Sequence, residues 1–119
     1  MRAHYRLQAW QVGMRLVRLV YVWSGGFPAE EKYGLLSQMR RAAVSIPSNI
    51  AEGAARTGSR EFAHFLSIAR GSLSELDTQY LIAVDLGFAA PDSELEHCIE
   101  QASRLITGLH KRHTRLDGN

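Results

Sequence analysis

At 119 residues, with 45% hydrophobic and 22% charged side chains, the chain is sized for one compact globular domain and leaves no room for a second. Fourteen Lys and Arg against twelve Asp and Glu leave a formal charge of +2, which excludes a polycationic arm or tail. A single cysteine, Cys98, excludes an internal disulfide framework and suits a reducing compartment.

The N-terminal stretch MRAHYRLQAW has no apolar signal core, and no run reaches the roughly 18 apolar residues of a membrane span, so a soluble cytoplasmic protein with no membrane contact is expected. The charge is unevenly divided along the chain. Residues 1–60 hold nine Lys/Arg and three Asp/Glu, whereas residues 61–119 hold five and nine, giving +6 and −4. Twelve of the fourteen basic residues are Arg, which suits planar recognition of phosphate and carboxylate, although a GC-rich coding sequence yields the same bias.

Gly and Pro punctuate the chain at Gly25 to Pro28, Gly53 to Gly58 and Gly87 to Pro91, which predicts helices over about 5–24, 30–54, 59–86 and 91–113. In the first, Leu7, Trp10, Met14, Val17 and Tyr21 form a stripe at spacings of three and four. Val12, Leu16, Leu19 and Trp23 form a second one almost opposite, leaving a narrow polar strip at Gln8, Gln11, Arg15 and Arg18. A helix apolar on two sides must cover both, so the second set is assigned to an oligomer interface, with cover by chain ends as the alternative.

The second helix places Leu36, Met39, Ala43, Ile46 and Ile50 toward the core, and Pro47 inside that stripe predicts a kink around Val44 to Pro47. Opposite runs a polar row, Gln38, Arg41, Ser45, Asn49, Glu52 and Arg56, read either as a solvated face or as a polar network between helices or subunits. Phe62, Leu66, Ala69, Leu73, Leu76, Tyr80 and Ala83 stripe the third helix, with Gly58 or Ser59 as its cap and Gly87 as its left-handed stop. Leu95, Cys98, Ala102, Leu105 and Leu109 stripe the fourth, which Pro91 and Asp92 begin. Short connections between four amphipathic helices predict an all-α, antiparallel up-down-up-down four-helix bundle.

No reaction chemistry assembles from these residues. Two Glu-x-x-His pairs, Glu61 with His64 and Glu94 with His97, have the spacing used in di-iron bundles, but residues 1–29 contain no carboxylate. Both pairs begin antiparallel helices, which puts them roughly 40 Å apart, so no metal is expected. His110 and His113 read as part of a basic, fraying terminus, Cys98 as a buried small hydrophobe, and no nucleophile elbow or phosphate loop occurs, so neither catalysis nor a cofactor is expected. Arginine remains: Arg40, Arg41, Arg56 and Arg60 on or after the second helix are the candidate nucleic-acid contacts, and Arg2, Arg6, Arg15 and Arg18 lie on the first. Pairing with the acidic second half of the same or a neighbouring chain is the competing assignment.

Tyr33-Gly34-Leu35, Gln38 to Ala42, the string SIPSNIAEG at 45–53, Arg56, Glu61-Phe62 and the string IARGS at 68–72 resemble the four-helix-bundle family of 23S rRNA intervening-sequence proteins, also labelled S23 ribosomal proteins. The resemblance spans residues 7–88 and departs at Gly58, where the family tends to have a Ser that would form a capping box with Glu61. It implies a bacterial, ring-shaped homopentamer without enzymatic activity. A similar protein accompanies the reverse transcriptase of diversity-generating retroelements, where it acts with nucleic acid and a protein partner. Two functions are therefore expected: an oligomer that binds RNA or other nucleic acid through arginines, or an oligomeric scaffold for a protein partner.

Overall fold

The computed structural model describes residues 2–118, and the side chains of residues 2–115. Four helices form, with no strand among the described residues: α1 (Gln8–Ser24), α2 (Leu35–Ala54), α3 (Ser59–Asp85) and α4 (Ser93–Gly118). Short 3-10 turns at Ala3–Arg6 and Ala29–Glu31 precede α1 and α2. They account for helices that start later than the periodicity predicts. Among the described residues no helix is long and apolar enough to cross a membrane.

Paired contacts give the topology. Along α1 and α2, Gly13 faces Pro47 while Tyr21 meets Arg40; along α3 and α4, Phe62 stacks on His113 while Tyr80 bonds Glu96. Position numbers rise on one helix as they fall on the other, so these neighbours run antiparallel. The α2 to α3 pair, from Ser45 with Ser72 to Gly53 with Phe62, and the α1 to α4 pair, from Val12 with Cys98 to Trp23 with Ala90, do the same. Each helix packs on two others around a square, forming an up-down-up-down bundle of 48 × 24 × 21 Å.

Helix ends are closed by local chemistry. Gly87 takes φ 75°, the Phe88 N–H donates to the Ala83 carbonyl and the Gly87 N–H to the Val84 carbonyl, a Schellman stop for α3. Asp92 caps α4 by accepting from the Leu95 N–H at 3.0 Å. Tyr80, buried at the end of α3, donates its hydroxyl to Glu96 and accepts from the Asp92 N–H, and burial pushes its pKa up. This phenol ties the start of α4 to the end of α3.

The core combines Met39, Ile46, Ile50, Leu66, Leu76, Leu95 and Ile106 with Leu16 and Val20 from α1. Here the assignment of α1 faces is corrected. Val12 and Leu16 are buried in the chain's own core, and Leu19 and Trp23 pack against it; Trp23 also donates to the Ala90 carbonyl at 2.8 Å. Met14 and Tyr21, core residues by their spacing, are instead 48% and 42% exposed. The cause is close packing at the small residues Ala9 and Gly13. A Cβ on Gly13 would lie only 3.3 Å from the Cβ of Pro47, so α1 and α2 approach along this side and Leu16 and Val20 follow it inward. Pro47 is itself buried there, and α2 is helical without a break from Leu35 to Ala54.

Cys98 is buried, its thiol donating to the Val12 carbonyl at 3.8 Å, and burial pushes its pKa up and away from the reactive thiolate.

Candidate nucleic-acid interface

The polar row on α2 divides into three parts. In the middle, the Ser45 and Ser72 hydroxyls lie 2.8 Å apart, and the Asn49 amide donates to the Ser45 carbonyl at 2.8 Å and hydroxyl at 2.9 Å. These half-buried groups form a network joining α2 to α3, which satisfies hydrogen bonding within one chain. Toward the C-terminus Arg56 pairs with Glu52 at 2.9 Å and lies over the Phe65 ring at 5.1 Å. Toward the N-terminus Gln38 and Arg41 are exposed. Ser72 and Phe65 are absent from the predicted set because the network reaches across to another helix.

The four candidate arginines do not gather at one place. Arg40 is tied to the end of α1, its Nε donating to Ser24 Oγ at 3.0 Å and its NH2 group to the Tyr21 carbonyl at 3.1 Å, with the guanidinium 4.4 Å from the Tyr21 ring centroid. It completes the α1 C-terminus and keeps Ser24 satisfied. Arg41 lies beside it on an outward face shared by α1 and α2, among exposed Tyr21, Tyr33 and Val44. Arg56 and Arg60 sit at the other end of the bundle, about 24 Å along the helix axis from Arg40 to Arg56.

What the topology gathers instead is an end. The starts of α1 and α3 and the finishes of α2 and α4 lie together, as the contacts of Arg2 and His4 near Ser48 and Glu52, and of His113 with Ser59 and Phe62, show. This brings Arg2, Arg6, Arg56, Arg60, Lys111, Arg112 and Arg115 to one region, with His4, His64, His110 and His113. Among the residues whose side chains are described only Glu52 and Glu61 carry negative charge there, and the last turn of α4 adds Asp117. The opposite end carries Glu30, Glu31, Asp85, Asp92, Glu94 and Glu96 beside Lys32, Arg40 and Arg41, with Glu94 paired to Arg15 at 3.0 Å. The charge difference between chain halves thus becomes a difference between bundle ends, because the basic tail of α4 joins the arginines of the first half. The run from His110 to Arg115 signals this, yet its composition reads as a fraying terminus; α4 remains helical through it, with His113 Nδ1 3.1 Å from Ser59 Oγ.

The two Glu-x-x-His pairs begin α3 and α4 and so fall at opposite ends. No group of three His, Cys, Asp or Glu able to hold a metal occurs among the described residues.

A family model for the 23S rRNA-intervening sequence protein matches residues 5–111. The chain belongs to that family. The search of curated proteins gives no match. The match to the 23S rRNA-intervening sequence protein family takes in α1, α2, α3 and α4 as far as Lys111, so Arg6, Arg56, Arg60 and Lys111 of the basic end fall within it and Arg2, Arg112 and Arg115 outside it.

At that end burial lowers the pKa of His110, with Arg70 nearby adding to the effect, and burial lowers that of His113, with Arg112 adding to it. Both imidazoles are therefore harder to protonate in the folded chain than at their ordinary 6.5. The unfolded chain binds more protons below that value, so their contribution is present above pH 6.5 and is lost as pH falls through it toward the lower folded-state values. Urea midpoints at about pH 7.5 and about pH 5.5 are expected to drop on acidification, and less in a His110→Gln/His113→Gln double variant.

Proposed function

We propose that the protein is a non-enzymatic, self-assembling protein that binds RNA or other nucleic acid through its basic end. The collection of seven Arg and Lys at one end of the bundle, against Glu52, Glu61 and Asp117, supports this reading. Arginine side chains there meet phosphates as planar donors, and four histidines add hydrogen-bonding groups without opposing charge. Of the four candidate arginines, Arg56 and Arg60 belong to this surface, whereas Arg40 serves the fold.

Wild-type protein is expected to retain a structured rRNA fragment and duplex DNA at low salt, with log affinity falling linearly against log salt. Arg56→Glu/Arg60→Glu is expected to weaken retention at least about tenfold while leaving helicity unchanged, measured by filter binding and circular dichroism. Wild-type retention no better than that of an acidic control protein would refute the reading.

A second reading, an oligomeric scaffold for a protein partner, draws support from a different surface. Met14, Tyr21, Tyr33 and Val44 are exposed together on the α1 and α2 side, beside Arg18 and Arg41. Aromatic residues, Met and Arg mixed in this way are the composition of protein interfaces. This face, rather than Val12, Leu16, Leu19 and Trp23, is available for the homopentamer that the resemblance implies.

A further inference from the structure

We infer that a groove between the start of α1 and the last third of α4 is a binding site for a single phosphate group, formed by Arg6, Arg104 and Arg112. The inference rests on the nucleic-acid reading for its natural ligand, a backbone phosphodiester, and on the geometry of the groove alone for its chemistry. The groove measures about 360 Å³, and Arg6, Gln8, Arg104 and Arg112 line it over a floor that includes Leu105 and Gly108. Among the described residues no carboxylate lines it. Three arginines line this one groove, Arg104 and Arg112 about two turns apart on α4 and Arg6 across from them, so an anion seated in it lies within reach of their side chains, and planar paired donors match phosphate oxygens.

Two further features suit an anion here. Among the described residues no ion pair engages Arg6 or Arg112, and Arg104 meets Glu100 only at 3.9 Å with both side chains mostly exposed. Their charges are thus available to a ligand. Gln8 and Ala9, which line the groove, are the first residues of α1, whose preceding Leu7 gives no side-chain cap and whose first turn has no acidic residue. The backbone N–H groups that start α1 have no intrahelical acceptor, so they add donors and partial positive charge beside the arginines.

The groove also supplies its own test. A Cβ at Gly108 meets nothing within 4 Å, so Gly108→Ala and Gly108→Asp both fit, and only the second brings a carboxylate among the arginines. Inorganic phosphate is titrated into isotope-labelled wild-type protein and both variants while the backbone amides of Gln8 and Ala9 and the arginine Nε–H signals are followed. Saturable shifts are expected in wild type and Gly108→Ala and their loss in Gly108→Asp. In parallel, Gly108→Asp and Arg6→Gln/Arg112→Gln are expected to lower affinity for the rRNA fragment about tenfold, with a salt slope smaller by about one for each phosphate no longer neutralised.

Absence of phosphate shifts in wild type, or their persistence in Gly108→Asp, overturns the site. RNA affinity within twofold of wild type in both groove variants overturns its role in RNA binding. Phosphate shifts that obey the pattern in a protein that retains no nucleic acid uphold the site and overturn the nucleic-acid reading, leaving a free phosphate or small phosphorylated molecule as ligand.

Discussion

Leu16→Glu is expected to abolish the folded bundle, whereas Met14→Glu, two positions away, is expected to leave it intact. Leu16 is fully buried among side chains of its own chain, while Met14 is 48% exposed. Truncating a buried Leu costs about 2–5 kcal/mol, and placing an unpaired carboxylate there adds a desolvation penalty of several more. The sum rivals the roughly 5–15 kcal/mol that holds a whole domain together. Met14→Glu removes no core packing of that kind, so its stability change is expected within about 1 kcal/mol. The two are separated by thermal melts followed at 222 nm, and light scattering then asks a second question of the soluble variant. If the exposed α1 and α2 face carries self-assembly, Met14→Glu lowers the mass while helicity stays constant; equal melting of the two variants would contradict the buried placement of Leu16.

Gly53→Ala is expected to destabilise the protein although alanine is the better helix former. In an open helix the exchange gains about 0.5–1 kcal/mol. At Gly53 the new Cβ would stand 2.8 Å from the Cβ of Phe65, 2.9 Å from Phe62 Cδ1 and 3.3 Å from the Phe62 carbonyl oxygen. Two of these atoms lie on or next to the α3 backbone, so the helix itself must move. Overpacking of this sort costs about 1–3 kcal/mol, which outweighs the propensity gain. A lower urea midpoint for Gly53→Ala, beside a raised one for Gly71→Ala where a Cβ meets nothing within 4 Å, is the expected pair of results.

The two glycine and leucine sites also mark where the sequence is readable. Stripes on α2, α3 and α4 identify their core faces because each has one apolar side, and Met39, Leu66, Leu76, Leu95 and Ala102 are buried as the spacing predicts. The first helix has two apolar arcs, and hydrophobicity alone chooses between them wrongly. The better guide is the polar strip: across the helix from Arg15 and Arg18 lie Ala9, Gly13, Leu16 and Val20, of which only Leu16 belongs to a predicted stripe. Ala9 and Gly13 carry little apolar surface, yet their small size lets α1 approach α2 and settles which way the helix turns.

Site residues are legible in kind but not in grouping. The polar row on α2 is visible from its spacing, and its Ser45 and Asn49 do form a network, but Ser72 joins it from another helix, 27 positions along the chain from Ser45. Arg40 and Arg56 look alike as letters on one helix. Their roles diverge because Arg40 finds the carbonyl of Tyr21, a contact that exists only once α1 and α2 have packed. The basic end likewise requires the antiparallel fold, since it unites the first and last segments of the chain with the α2 to α3 connection.

The separation of charge along the 48 Å axis makes each bundle an electric dipole as well as a weak net cation. Such a molecule is turned by a polyanion's field before it touches it, so encounters favour end-on arrival over side-on collision. If the basic end seats on a strand, the end left outward has more carboxylates than basic groups, its excess reduced by Lys32, Arg40 and Arg41, so it offers further nucleic acid no second basic surface.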